Sequence, residues 1–163
     1  MQQERKQFRT FEDLEVYQVA RDFRKAMYRV AKGLPETEKF GLANQVRRAA
    51  VSLTNNIAEG HGRYHYLEQI KFMLQSRGSL EELIDDLNVC LDESYLPAPD
   101  LANLKEQAWR VYRLLNGYIR YLRERKAGAS LVLHESSPAY GMEEDLDAIL
   151  ADSTIQPFNH STT

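Results

Sequence analysis

Gln45-Val46-Arg47-Arg48-Ala49-Ala50-Val51-Ser52-Leu53-Thr54-Asn55-Asn56-Ile57-Ala58-Glu59-Gly60 sorts its side chains onto two sides of one helix. Val46, Ala50, Leu53 and Ile57 recur at i, i+4, i+7 and i+11. At 3.6 residues per turn they face one way, which predicts one wall of a helix-packed core. Gln45, Arg48, Ser52, Asn55, Asn56 and Glu59 form the other row, rich in small and amide side chains. That row is a candidate subunit interface, where Ser52 allows close approach and the amides, Arg48 and Glu59 supply directional bonds. The competing reading is a solvated face held by contacts three and four residues apart.

Similar rows run on both sides of this segment. Upstream, Val16, Ala20, Phe23, Met27 and Val30 predict a first helix that begins near Thr10 or Phe11. It ends by Gly33-Leu34-Pro35, where glycine takes a left-handed cap and proline blocks continuation. The second helix starts between Glu38 and Gly41 and runs to Glu59, with Gly60-His61-Gly62 as its stop. A third helix spans Tyr64 to Leu96, with Tyr66, Ile70, Met73, Leu80, Ile84, Leu87 and Leu91 in register and Arg77 interrupting the row. Gly78 inside a helix costs about 1 kcal/mol relative to alanine, and Ser79-Leu80-Glu81-Glu82 could start a new helix as a capping box. Because the row keeps phase across Gly78, one long helix is the preferred reading. Glycine then permits close approach by a neighbour, and Arg77 needs a polar partner. After Pro97-Ala98-Pro99-Asp100, the row Leu101, Leu104, Ala108, Val111, Leu115, Tyr118 and Leu122 predicts a fourth helix ending near Arg125. Four apolar rows joined by short turns give an all-α, antiparallel up-down-up-down four-helix bundle over residues 1–126.

The 163 residues, 43% of them hydrophobic, suit one globular domain. The apolar stretches fall well short of the roughly 18 residues of a membrane span, and no apolar signal segment follows Met1-Gln2-Gln3-Glu4-Arg5-Lys6, so a cytoplasmic protein is expected. The single cysteine, Cys90, lies in a helical apolar pattern and reads as a small buried hydrophobe. The net charge of -3 conceals an asymmetry. All 21 Lys and Arg precede residue 127, whereas Glu135, Glu143, Glu144, Asp145, Asp147 and Asp152 follow it with no base. Residues 127–163 therefore read as an acidic, mostly disordered tail. Met142, Leu146, Ile149 and Leu150 are spaced for a short amphipathic helix near 142–151, suited to docking on the basic fourth helix.

No arrangement of residues points to an active site. His61 and His65 are four apart with Glu59 and Glu68 nearby, but His61 sits between two glycines and no third ligand pattern appears. Ser52 has no adjacent base. A metal-dependent hydrolase built on the two histidines is thus an outside reading. The fourth helix offers more: Trp109, Arg110, Arg113, Asn116 and Arg120 fall on its outward half, with Lys105 and Arg123 at the edge. Such a surface binds phosphates through its cations and stacks bases or packs a partner through Trp109.

The run from Gln45 to Gly60, preceded by Phe40-Gly41-Leu42 and followed by Arg63, resembles the signature of small bacterial four-helix-bundle proteins encoded in intervening sequences of 23S ribosomal RNA genes. Phe11-Glu12-Asp13-Leu14-Glu15-Val16-Tyr17-Gln18 and Gly78-Ser79-Leu80-Glu81-Glu82-Leu83 fit the same pattern, so the resemblance covers Phe11 to Leu122 and omits the tail. A related branch is the accessory variability protein of diversity-generating retroelements, a basic pentamer that assists a reverse transcriptase. The resemblance implies a homo-oligomer, a pentamer, working beside RNA, DNA or a nucleoprotein; the residues themselves suggest no cofactor, no metal and no membrane. The expected function is non-enzymatic, nucleic-acid-binding or accessory; a protein-only adaptor is the alternative.

Overall fold

The computed structural model describes residues 10–133. The expected tail helix near 142–151 lies outside them. The chain divides into a unit of residues 1–129 and a second of residues 130–163.

Thr10 starts the fold. Its hydroxyl accepts from Glu12 N at 3.2 Å while Asp13 accepts from Thr10 N at 3.3 Å, a reciprocal cap on the single turn Phe11–Asp13. Phe11 packs edge-on against Tyr17 at 4.8 Å and fixes the entry into α1, Glu15–Gly33. Val16, Ala20, Phe23, Met27 and Val30 are all buried, as their spacing requires. Gly33 is the last residue of α1 and takes no left-handed conformation, contrary to expectation. Leu34 becomes extended instead, as a residue before proline must.

A turn at Glu36–Glu38 leads to α2, Leu42–His61. The Glu38 carboxylate accepts from Leu42 N at 3.1 Å and from the Tyr95 hydroxyl at 3.0 Å, so one side chain caps α2 and ties it to the end of the next helix. Val46, Ala50, Leu53 and Ile57 are fully buried. The helix does not stop at Gly60. Gly60 is buried within α2, and a Cβ there would stand 2.8 Å from the Phe72 Cβ and 2.6 Å from the Met73 methyl.

The third helix, α3, runs unbroken from Tyr66 to Asp92 through Gly78. Gly78 is exposed, and a Cβ there would meet nothing within 4 Å, so close approach belongs to Gly60 and not to Gly78. Leu83 is buried where Ile84 was expected, and Cys90, buried as expected, takes the place in the row given to Leu91, which is 41% exposed. At its end Ser94 turns left-handed (φ 58°), and Cys90 O accepts from Tyr95 N and Leu96 N. Finally α4 spans Ala98–Leu133, beyond the expected end at Arg125. Its buried row is Leu101, Leu104, Ala108, Val111, Leu115, Ile119 and Leu122, with Ile119 in the place expected of Tyr118.

Four helices build an all-α bundle. The first packs on the second and the second on the third. Arg77 donates to Asn116 at 3.2 Å, the partner its position demanded, and Lys105 donates to Asn88 at 2.6 Å, which joins α3 to α4. As numbering rises along one member of each of these pairs it falls along the other, so α3 and α4 run antiparallel. The bonds Ser79–Ser52 at 2.8 Å and Gln45–Asp86 at 2.8 Å show the same for α2 and α3. Among the described residues no helix is long and apolar enough to cross a membrane.

Candidate nucleic-acid and partner surfaces

The polar row of α2 divides between two neighbours. Towards α3, Gln45 donates to Asp86, Ser52 accepts from Ser79, and Ser76 donates to Leu53 O at 2.7 Å inside the core. Asn56 folds back onto Ser52 O at 2.9 Å, and Glu59 pairs with Arg63 just past the end of α2. Gln45, Ser52, Asn56 and Glu59 therefore have partners within the chain itself. Arg48 and Asn55 remain exposed on the side away from α3.

Asp86 is the unexpected residue of this seam. It is 2% exposed, and its Oδ2 has no hydrogen-bond partner. Burial, then the neighbouring carboxylates Glu82 and Asp85, push its pKa up to about 6 despite the bond from Gln45. Cys90, one turn on, is buried and pushed up to about 11 by the same desolvation and by Asp86 and Glu38. Sequence reading left Asp86 out of the core row of α3; its spacing of three from Leu83 and four from Cys90 was the available signal.

On α4, Arg113 and Arg120 are exposed and Trp109 is 37% exposed, with its ring edge-on to Tyr112 at 5.4 Å. The spacing of these three places them on one outward row with Asn116. The other candidates turn elsewhere. Lys105 is held by Asn88, and Arg123 is half-buried with its Nε unpartnered. Arg110 lines a cleft of about 630 Å³ against α1, where Asp13, Glu15 and Asp22 stand. Tyr118 and Tyr121 stack at 6.0 Å further along the helix, and desolvation and then Tyr121 raise the Tyr118 pKa.

The cations of α1 stand off its apolar row and so leave no mark in the spacing that identifies the helix. Arg21, Arg24, Lys25, Arg29 and Lys32 lie on the polar side of that helix. His61 is half-buried at the end of α2 and His65 exposed ahead of α3, and among the described residues no group of three His, Cys, Asp or Glu could hold a metal ion.

The model of the 23S rRNA-intervening sequence protein family matches residues 12–117, from the capped first turn to the middle of α4. The chain belongs to that family. No curated protein matches it. In this intervening-sequence protein the match takes in both flanks of α2 and the outward row of α4 as far as Asn116; Arg120 and Arg123 lie past its end.

Proposed function

We propose that the chain is a non-enzymatic, RNA-associated scaffold of the cytoplasm that works as an assembly of its own copies, in an accessory role beside an RNA-handling partner. Family membership carries this reading, since the family is described by intervening sequences of 23S rRNA. Charge supports it: between Lys105 and Lys126 the fourth helix holds seven bases against Glu106 and Glu124, and the acids gather on α3. Phosphate binding by such cations is sequence-independent and weakens with salt. Assembly is supported by Phe40 and Tyr64, which are 85% and 90% exposed, large apolar groups that a second copy would cover. A homopentamer is the ring size that the resemblance implies.

Light scattering of the full chain, followed by titration with RNA and DNA from low to physiological salt, tests the reading. An oligomer whose RNA affinity falls steeply with salt supports it. A monomer overturns the assembly, and no RNA binding at low salt overturns the RNA association. The second reading is a protein-only adaptor, favoured by the aromatic groups of α4, Trp109 with Tyr112 and Tyr118 with Tyr121. Oligomers that ignore RNA would select it.

A further inference from the structure

Two shallow clefts meet between α1 and α2, of about 580 and 450 Å³, and share Tyr28 and Val51 as common wall. Six cations line them: Arg24, Lys25, Arg29 and Lys32 from α1, Arg47 and Arg48 from α2. None of the described residues lining either cleft is acidic. The cleft on the opposite side of α1 holds three carboxylates and one arginine, so the positive groove is a local property of the α1–α2 pair.

We infer that this groove is a binding site for single-stranded RNA, an inference that rests on the RNA association proposed above and assigns it to a surface other than α4. The cations supply phosphate contacts. Lys25, Arg29 and Lys32 follow one another by about one turn, a ladder along the helix with roughly 4.5 to 6 Å between steps. Arg24 is held in place by its bond to Thr54 Oγ1 at 2.8 Å, which presents a fixed guanidinium. Arg47 donates to Lys39 O at 3.1 Å and is oriented likewise. Lys25 pairs with Asp22 at 3.0 Å, but both side chains are more than half exposed, and such a pair is worth no more than about 1 kcal/mol. A phosphate can replace that carboxylate.

The choice of a single strand comes from what lies between the cations. Tyr28 stands half-exposed in the middle of the groove, and Asn55 offers an exposed amide on the α2 wall. A ring set among phosphate-binding groups stacks on an unpaired base, whereas bases inside a duplex are already stacked on each other. The Asn55 amide can both donate to and accept from a base edge. The same groove could instead accept an acidic peptide; a peptide has no base for Tyr28 to stack on.

The test is fluorescence anisotropy of a labelled 12-nucleotide uridine strand and a 12-base-pair RNA duplex, titrated with the full chain over a range of salt. Lys25→Gln, Arg29→Gln and Arg48→Gln combined, all at exposed positions, should weaken single-strand binding about tenfold or more and lower the salt slope by about 2. Arg113→Gln with Arg120→Gln should change it less than about twofold. Tyr28→Leu should weaken the single strand about fivefold and leave the duplex unchanged, while Tyr28→Phe, which keeps the ring, should bind as the native chain does. Melting curves of each variant confirm that the bundle is folded. If the native chain binds no RNA, the RNA association itself falls. If it binds but the groove variants bind equally well, or the α4 pair carries the loss, only the groove is overturned. If Tyr28→Leu keeps full affinity and a polyglutamate peptide competes as strongly as the RNA strand, the groove is an acidic-peptide site and the single-strand inference fails.

Discussion

The two flanks of α2 are made from one short stretch of chain, yet they differ in kind. Towards α3 its polar groups are closed into the protein: Ser52 on Ser79, Leu53 O on Ser76, Gln45 on Asp86, with Gly60 letting Phe72 and Met73 come in. Towards α1 the wall is open, and Arg47, Arg48 and Asn55 look onto Tyr28 across a groove. Small hydroxyls and a glycine let α2 and α3 meet closely, whereas long cations and an aromatic ring leave a cleft along the surface of the α1–α2 pair. The closed flank sets where the helix lies; the open flank is available to a partner.

Leu53, fully buried between the flanks, is the place to disturb both. Leu53→Ala should cost about 2 to 5 kcal/mol and lower the melting temperature markedly. An unchanged melting temperature would show that the two flanks are not held by a common core.

Asp86 sharpens the contrast through pH. Its folded pKa of about 6 lies above the ordinary 3.8, so the folded chain holds this proton more tightly than the unfolded one. The stability it contributes is complete below pH 3.8 and is lost as pH rises through 6. The change amounts to about 3 kcal/mol at most. Urea unfolding of the native chain and of Asp86→Asn at pH 4.5 and 7 isolates it: the variant should gain relative to the native chain as pH rises. A difference that does not move with pH would refute the raised pKa.

Gly60→Ala tests the tightness of the closed flank. Overpacking at such a contact costs about 1 to 3 kcal/mol, set against the better helix propensity of alanine. Gly78→Ala, in open space on the same seam's partner helix, should instead gain up to about 1 kcal/mol. Opposite signs in thermal melts confirm the assignment; equal signs break it.

The smallest effect on folding belongs to Arg48→Ala with Glu59→Ala. Neither side chain is buried, and the pair should cost less than about 1 kcal/mol in stability. Light scattering should show weaker assembly if this row is a subunit boundary. Unaltered oligomer size would leave the row to the groove alone.

Much of this was legible in the sequence. The rows Val16 to Val30 and Val46 to Ile57 are apolar at nearly every buried position, so spacing alone identifies them. The third helix misled because its buried side towards α2 is written as Ser76, Ser79 and Asp86, letters that look like surface, while Ile84 and Leu91 imitate a core row. In α4 a strict seven-residue step falls about 20° behind a 3.6-residue helix at each repeat, so Leu104 and Val111 lead towards Tyr118 while the core has moved to Ile119. The outward row of α4 was readable as a surface, but Arg110 facing acids and Lys105 on Asn88 depend on neighbours that a linear pattern does not name. The groove escaped because its cations come from two helices, and which of them come together depends on how α1 packs on α2.

Cys90 turns the closed flank into a clock. It is the sole cysteine of the chain, fully buried, and its thiol is held protonated to about pH 11. A thiol reagent therefore reacts at neutral pH only when α3 has lifted from its neighbours. The labelling rate of the native chain, divided by that of the unfolded chain, gives the fraction of time the helix stands open, with no residue changed.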